Sequence, residues 1–266
     1  MDGQPDPVRA LDRTTLSVVI PTLGRASLER AVASVAQQSL LPRELIVVTN
    51  GAKPLDPEHT KGLQEIADPV ALRIISLPPF SGPSLCRNVG AWEAESLYVA
   101  FLDDDDAFTS KYLAHMAKEI ERSRPDLLYG AKVWRNPDGS IRRETRLSTV
   151  PQSEWLERLY RQENHGFGGQ NVVVHRDSFF EMGGFPVDLP SGEDRALAMA
   201  ALRAGKHFSY VDAAEVSCHD PDGYRAKQRS DKWLTNLKLI RDYWGDVSRR
   251  SRLRSLWRVA RSFSRV

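Results

Sequence analysis

Four consecutive aspartates, Asp103 to Asp106, follow the apolar segment LYVAFL at residues 97–102. Adjacent carboxylates repel one another, so they destabilise a fold unless a positive charge lies among them. Their oxygens are hard ligands, and a divalent cation such as Mg²⁺ or Mn²⁺ is therefore one candidate for that charge. The alternative is a solvated acidic turn that caps a following helix.

A second acidic pair, Glu193 and Asp194, lies near the start of SGEDRALAMAALRAG, residues 191–205, which we predict to be a helix. A carboxylate can accept the proton of a hydroxyl group as that group attacks, which is general base chemistry. The helix dipole keeps such an acid ionised, which makes it ready as a base but a weaker one. Simple acidic enrichment in a first helical turn is the alternative explanation.

The elements that must position these side chains are alternating strands and helices. Apolar runs predict strands at 16–20, 44–49, 72–77 and 97–102, with a helix around 28–36 and another opened by Pro83. This order predicts a mostly parallel sheet covered on both faces. Ligands bind beyond the carboxyl ends of such strands, so PTLGR (21–25), TNGA (49–52) and the aspartates should converge on one crevice.

The pattern is less regular after residue 110. Further strands are expected at 126–134, 168–176 and 214–219, with helical stretches between them. A last helix, from about 227 to 243, leads into an arginine-rich tail.

Four motifs together are specific in their order and spacing: VVIPTLGR, GPSLCRNVGAWEAESLYVAFLDDDD, GGF and GEDRALAMAALRAG. From about Leu16 to His219 the chain resembles the family 2 glycosyltransferases, which are inverting enzymes of the GT-A fold. The resemblance implies an α/β fold with a Rossmann-like, mostly parallel central sheet flanked by helices, and here a C-terminal helical tail. The expected divisions are a flexible leader (1–14), a nucleotide-sugar-binding half (15–110), an acceptor-binding and catalytic half of the same domain (111–225) and C-terminal helices with a basic amphipathic tail (226–266).

The resemblance also implies a donor site. The loop at Pro21 to Arg25 would wrap the nucleotide, and Arg87 and Asn88 would contact the nucleotide sugar. The family usually has an acid at the end of the second strand, whereas this chain has Thr49 and Asn50, so the base of the nucleotide stays open. The implied nucleotide-sugar-binding residues are Pro21, Thr22, Arg25, Asn50, Arg87, Asn88, Asp103 and Asp104.

Metal, base and acceptor residues follow from the same resemblance. Asp105 would bind Mn²⁺ or Mg²⁺, which neutralises the departing diphosphate as a Lewis acid, and His219 is either a second ligand or a structural hydrogen-bonder. Asp194 would be the catalytic base of a single displacement with inversion. The residues expected to bind the acceptor are Gly169, Gln170, Glu193 and Trp134, although the glycine segment could merely turn the chain and Trp134 could pack in the core.

The predicted function is transfer of a sugar from a nucleotide-diphosphate donor, of UDP, GDP or dTDP type, to a hydroxyl of a glycan, lipid-linked sugar or small metabolite. The alternative is a non-catalytic sugar-nucleotide or glycan-binding protein on the same fold. A nucleotidyltransferase is more distant, because such enzymes usually open with a Gly-rich loop, which IPTLGR is not.

Composition is that of an ordinary soluble protein: 41% of the 266 residues are hydrophobic and 27% are charged. Two cysteines make a disulfide framework improbable and favour a reducing compartment. The first residues do not resemble a signal peptide, and no apolar run approaches the length of a spanning helix. We therefore expect a cytoplasmic protein, with peripheral contact at the inner face of the membrane as an option.

The tail is strongly basic. Residues 241–266 contain eight Arg and two Asp, a net charge of +6 in a chain whose total is +2. Helical spacing predicts an apolar face that suits an anionic membrane surface, or that packs on the body or on a second subunit of a homodimer. Nucleic acid is disfavoured because the body is acidic. The predicted face consists of Leu253, Leu256, Trp257, Ala260 and Phe263.

Overall fold

The structure, a computed structural model, describes residues 16–136, 138–147, 151–161, 166–219 and 232–263. One nine-stranded sheet forms its centre, with helices on both faces. The strands are β1 (Leu16–Thr22), β2 (Glu44–Thr49), β3 (Ala71–Ser76), β4 (Tyr98–Phe101), β5 (Ala107–Phe108), β6 (Leu127–Arg135), β7 (Ile141–Thr145), β8 (Val172–His175) and β9 (Phe208–Cys218). The helices are α1 (Leu28–Ala36), α2 (Pro57–Ala67), α3 (Pro83–Glu93), α4 (Tyr112–Ser123), α5 (Trp155–Tyr160), α6 (Arg176–Glu181), α7 (Glu193–Arg203), α8 (Lys232–Asp242) and α9 (Arg249–Phe263).

The first half of the sheet is parallel, and its strands β1, β2 and β4 are buried on both faces, whereas the edge strand β3 is partly exposed. Every residue of β1, β2 and β4 is buried, as expected for near-continuous apolar strands between two helical layers. Alternate side chains supply two separate cores, with Val19 in one and Val18 and Ile20 in the other. These strands confirm the predicted α/β architecture and bring their carboxyl ends to one edge.

The second half of the sheet is mixed. The strand order is β3-β2-β1-β4-β8-β6-β9-β5, with β7 added to β6. Strand β8 runs antiparallel to both β4 and β6, whereas β6 and β9 are parallel to each other. The sheet is nevertheless mostly parallel, since only β5, β7 and β8 oppose the other strands.

Several predicted boundaries move. The strand expected at 168–176 begins at Val172, because residues 168–171 form a turn before it. The strand expected at 214–219 is the second part of β9, which starts at Phe208. The expected leader and the start of the helix predicted from about 227 lie outside the described residues, which resume at Lys232.

The C-terminal helix α9 packs on the body by an unexpected face. Ser251, Ser255 and Val259 are buried, whereas Leu253 and Trp257 are about 60% exposed. The alternative in which the leucine face packs on the body is therefore wrong, while the side chain of Phe263 lies outside what the structure describes. Among the described residues, no helix is both long and apolar enough to cross a membrane.

Candidate active site

A cavity of about 740 Å³ opens at the carboxyl ends of β1, β2 and β4 and reaches the start of α7. Pro21, Asn50 and the four aspartates all line it, so the three predicted loops converge as expected. Glu193 and Asp194 line the same cavity from α7. Both acidic groups singled out from the sequence thus belong to one site.

The four aspartates divide into two roles. Asp103, Asp105 and Asp106 each offer a carboxylate oxygen, and these three oxygens lie within 4.8 Å of one another. Asp104 is buried and accepts hydrogen bonds from Thr22 Oγ1 at 2.6 Å and from Arg25 Nη1 at 3.0 Å. Asp104 therefore fixes the loop after β1, while the other three, of which Asp106 is also buried, bring their carboxylate oxygens together.

Arginines supply part of the positive charge that the aspartates require. Arg25 Nη1 lies 3.4 Å from Asp105 Oδ2, and Arg30 donates to the backbone oxygen of Asp105 at 2.7 Å. Burial, together with the charges of Asp103 and Asp104, still raises the pKa of Asp105 to about 6. Burial and the neighbouring carboxylates thus outweigh the arginines in setting the pKa of Asp105.

The donor set fits a divalent cation. Three clustered carboxylates supply hard oxygen ligands, and a cation would offset the burial and the repulsion that together raise the pKa of Asp105. The helix-cap alternative is wrong, because the next helix, α4, begins at Tyr112 after Lys111. His219 lines the cavity and its backbone N–H donates to Asp106 Oδ1 at 2.9 Å. Its imidazole is not part of the three-carboxylate cluster, so ligation by His219 stays a prediction.

Arg87 joins the two acidic groups. The side chain projects from α3, is only 4% exposed, and donates to Asp103 Oδ1 at 2.5 Å and to Glu193 Oε1 at 3.1 Å. Burial would lower its pKa, but these two carboxylates outweigh burial and raise it. A Cβ on Gly169 would lie 2.6 Å from Arg87 Cζ, so only glycine allows the backbone this close. The sequence predicts contact between Arg87 and the nucleotide sugar but does not reveal this bridge.

Glu193 and Asp194 occupy the first turn of α7, which follows Gly192 in a left-handed conformation (φ 74°). Asp194 Oδ1 accepts the backbone N–H of Arg195 at 2.7 Å, which fixes the carboxylate at the cavity wall. Burial, opposed by Arg87, raises the pKa of Glu193. Glu193 is thus held by a cation, whereas Asp194 is held by its own helix.

Lys132 is a site-adjacent cation that the sequence did not reveal. It projects from β6, and its ammonium donates to Phe167 O at 2.8 Å. Burial lowers its pKa, while the charges of Asp194 and Asp106 oppose that effect. A lysine in a strand carries no motif, so only the fold brings it to this site.

Two predicted donor residues hold backbone segments. With its amide oriented to suit its neighbours, Asn50 donates to Thr22 O at 3.0 Å and accepts from Gly82 N at 2.8 Å. Asn88 donates to Phe185 O at 2.8 Å and accepts from Phe185 N at 2.9 Å. Asn50 also lines the cavity. Asn88 fixes the GGF loop instead, and its contact with a nucleotide sugar stays a prediction.

The residues predicted to bind the acceptor do not all lie at the cavity. Gln170 lines the cavity, and Gly169 lies against Arg87. Trp134 is 3% exposed, belongs to the core on one face of the sheet and has the guanidinium of Arg143 4.5 Å from its ring centre. The geometry therefore favours packing for Trp134, while acceptor binding by Gln170 and Glu193 stays a prediction.

Comparison with known proteins decides the family. The model described as "Glycosyl transferase family 2" matches residues 17–182, well over half of the chain. The chain belongs to this family. The chain is also 33% identical over 107 residues to "Uncharacterized glycosyltransferase YwdF" of Bacillus subtilis, covering 40% of this chain and 38% of that protein. It is 24% identical over 208 residues to "Glycosyltransferase AglE" of Haloferax volcanii, covering 77% of this chain and 66% of that protein.

Solved structures show the same GT-A fold. TarS of S. aureus superposes with a TM-score of 0.63 at 19% identity, covering 91% of this chain and 42% of the TarS chain. GalNAc-T7, solved with UDP, GalNAc and Mn²⁺, also gives a TM-score of 0.63 at 19% identity, covering 87% of this chain and 48% of that one. This family 2 chain thus spans less than half of each of these two neighbours.

Proposed function

We propose that this protein is a metal-dependent, inverting glycosyltransferase that moves a sugar from a nucleotide-diphosphate donor to an acceptor hydroxyl. The observation that carries the proposal is the joining of two acidic groups in one cavity. A cluster of three carboxylates suits a cation beside a diphosphate, and a separate carboxylate at the start of α7 suits proton removal. A site for binding alone would need no base.

The nucleotide would lie along the loops after β1 and β2. Pro21, Thr22 and Asn50 line that side of the cavity, and the hydrogen bonds of Thr22 to Asp104 and Gly24 keep the loop in place. TarS has been solved with UDP and with UDP-GlcNAc, and GalNAc-T7 with UDP. Uridine diphosphate sugars are therefore the first donors to test.

Asp103, Asp105 and Asp106 would hold Mn²⁺ or Mg²⁺, and the cation, when bound, neutralises charge that develops on the leaving diphosphate. Both terminal nitrogens of the Arg87 guanidinium donate hydrogen bonds, one to Asp103 and one to Glu193. Arg87 would therefore fix the positions of these two carboxylates relative to each other. Arg25 limits the repulsion between Asp104 and Asp105. The chain's own residues thus fix the donor side before any ligand binds.

Asp194 would accept the proton of the acceptor hydroxyl. The Arg195 N–H holds one carboxylate oxygen and leaves the other for the acceptor. Attack from the face of the sugar opposite the diphosphate inverts the configuration at the transferred carbon in one displacement. Gln170 and Glu193 line the same cavity and would position the acceptor.

The test is a panel of nucleotide sugars incubated with the purified protein, with and without Mn²⁺, followed by detection of the released nucleoside diphosphate. We expect one donor to be consumed in the presence of metal, with transfer once a suitable hydroxyl compound is added. A donor that binds tightly but is never consumed, with any acceptor tried, would favour the alternative of a non-catalytic sugar-nucleotide-binding protein.

A further inference from the structure

Helix α9 has two faces of different character, and one of them attaches it to the body. Ser251 and Ser255 are fully buried and Val259 is 6% exposed, at a spacing of four residues that forms one stripe. Ser255 Oγ donates to Tyr160 O at 3.1 Å, and Arg161 Nη1 donates to Ser251 Oγ at 3.5 Å. Small polar side chains thus hold α9 against α5.

The other face presents apolar side chains to solvent. Leu253, Leu256 and Trp257 are 60%, 42% and 59% exposed. Their spacing places them together on the side of the helix roughly opposite the serine stripe. Single exposed apolar residues are ordinary, but a row of them on one element marks a contact surface.

Charge indicates what this surface contacts. Helix α9 has six arginines and no acidic residue over Arg249–Phe263. Arg250 and Arg254 are exposed along one side of the apolar row. On the other side, the guanidinium of Arg252 lies 5.3 Å from the ring centre of Trp244, which is itself 41% exposed. Apolar side chains bordered by arginines match a bilayer with anionic headgroups. The acyl chains contact the apolar side chains, and the headgroups bind the arginines.

We infer that the outward face of α9 (Leu253, Leu256 and Trp257 with Arg250 and Arg254) is a docking surface for an anionic lipid bilayer. The helix lies in the plane of the interface, since it is too short and too charged to cross a membrane. The serine stripe stays on the body, so docking requires no release of the helix. This inference does not depend on the proposed reaction, because binding to lipid is measured without a nucleotide.

The experiment is sedimentation of the full-length protein with vesicles of phosphatidylcholine alone or of phosphatidylcholine mixed with phosphatidylglycerol. We expect binding only to the anionic vesicles, with an affinity that falls as salt is added. Replacing Leu253→Gln and Leu256→Gln together, or Arg250→Gln and Arg254→Gln together, should weaken binding by roughly tenfold or more.

Matched controls distinguish binding through the outward face of α9 from nonspecific binding to vesicles. Leu97→Gln with Ile141→Gln removes two side chains of similar exposure elsewhere. Lys53→Gln with Lys111→Gln removes two exposed charges away from α9. Both controls should bind anionic vesicles as the parent does, and circular dichroism melting should show that all four variants stay folded.

Four results would overturn the inference. The first is a parent protein that does not bind anionic vesicles at low salt. The second is binding of these vesicles by the α9 variants as tight as that of the control variants. Alternatively, the parent would elute as a dimer that the Leu253→Gln, Leu256→Gln variant converts to a monomer without any change in lipid binding, which would assign the face to a second copy. A single-stranded RNA that binds more tightly than the vesicles, and competes with them, would assign it to nucleic acid.

Discussion

The two acidic groups on either side of Arg87 hold their negative charge in different ways. In the first group, three carboxylate oxygens lie within 4.8 Å of one another, and the pKa of Asp105 is raised to about 6. In the second group, Glu193 lies 3.1 Å from the Arg87 guanidinium and Asp194 accepts a backbone N–H at 2.7 Å. Asp103 also accepts from Arg87 and Asp106 from the His219 N–H, so the two groups differ chiefly at Asp105, which lies among like charges.

This difference teaches that closely placed acids in one cavity need not share a task. Excess charge suits a cation that arrives with the substrate, because the cation then relieves repulsion that already exists. A carboxylate held by its own helix suits proton acceptance, because its position does not change when the metal binds. Four substitutions can break or sharpen this comparison.

The largest effect is expected at the second group. Asp194→Asn keeps the size and much of the hydrogen bonding of the side chain but removes its ability to accept a proton, so the rate of sugar transfer should fall by about 10²- to 10⁴-fold. Steady-state assays of transfer measure this loss, and the donor affinity should change little.

The matched control is Asp188→Asn, which makes the same chemical change in a nearby loop, where the carboxylate pairs with Lys238 at the surface. Its rate should stay close to that of the parent. An Asp194→Asn variant with near-parental turnover would assign the base to another group.

Arg87→Met tests the link between the two groups. Removing a buried cation leaves Asp103 and Glu193 without their partner, so the free energy of unfolding should fall by about 3–5 kcal/mol. Urea titration measures the change. Arg122→Met is the control, since Arg122 also pairs with a carboxylate, that of Glu119, but is itself 71% exposed, so its loss should cost about 0–1 kcal/mol. An equal fall in the free energy of unfolding of the two variants would show that the buried Arg87 bridge stabilises the fold no more than a surface ion pair does.

Asp105→Asn tests the first group. A raised pKa means that the ionised form of Asp105 destabilises the fold above pH about 6, and that this cost disappears as the pH falls below that value. The metal-free variant should therefore be more stable than the parent at neutral pH, by roughly 1–2 kcal/mol. The variant should also lose the rise in melting temperature that Mn²⁺ gives the parent.

The parent's affinity for Mn²⁺ should weaken as the pH falls through about 6, because protons then compete for Asp105. Asp138→Asn is the control, since Asp138 caps an exposed turn by accepting from Ser140. It should respond to metal as the parent does. Should Asp105→Asn keep the full metal response, the cation site would lie elsewhere.

The smallest effect is expected at Thr22, which keeps Asp104 out of the cluster. Thr22→Val removes the hydroxyl that donates to Asp104 at 2.6 Å and accepts from Gly24 at 2.9 Å. We expect the free energy of unfolding to fall by about 1 kcal/mol, measured by thermal melting. Thr60→Val, on the half-buried side of α2, should change stability less. A Thr22→Val variant as stable as the parent would mean that Arg25 alone holds Asp104.

The sequence predicts the first half of the sheet well, because the buried strands β1, β2 and β4 are nearly continuous apolar runs. Residues 16–22 and 44–49 show this directly, since the observed strands match the runs almost end to end. The second half is harder because its strands pair with distant partners. Strand β7 is exposed along most of its length, so IRRET carries no apolar signal, and it pairs only with β6 among the described strands.

The candidate site shows the same limit. Spacing and resemblance locate the aspartates and the Glu193-Asp194 pair, which do reach one cavity. Spacing and resemblance do not reveal which carboxylate pairs with which cation, because that pairing depends on packing between segments far apart in the chain. Thus neither the division between Asp104 and its neighbours nor the position of Lys132 could be predicted. For α9, the alternative that its apolar face packs on the body is wrong for a similar reason. Ser251 and Ser255, and not the leucines, pack against α5.

The placement of β8 sets the order in which the chain can be completed during synthesis. Val173 of β8 pairs with Ala100 of β4 and with Leu128 of β6, so this late strand fills the gap between two earlier ones. Until it emerges from the ribosome, β4 has one uncovered edge, with backbone groups ready to pair with another chain. A fragment ending near residue 110 would carry that edge permanently. We therefore expect such a fragment to aggregate, although it contains all four aspartates from Asp103 to Asp106.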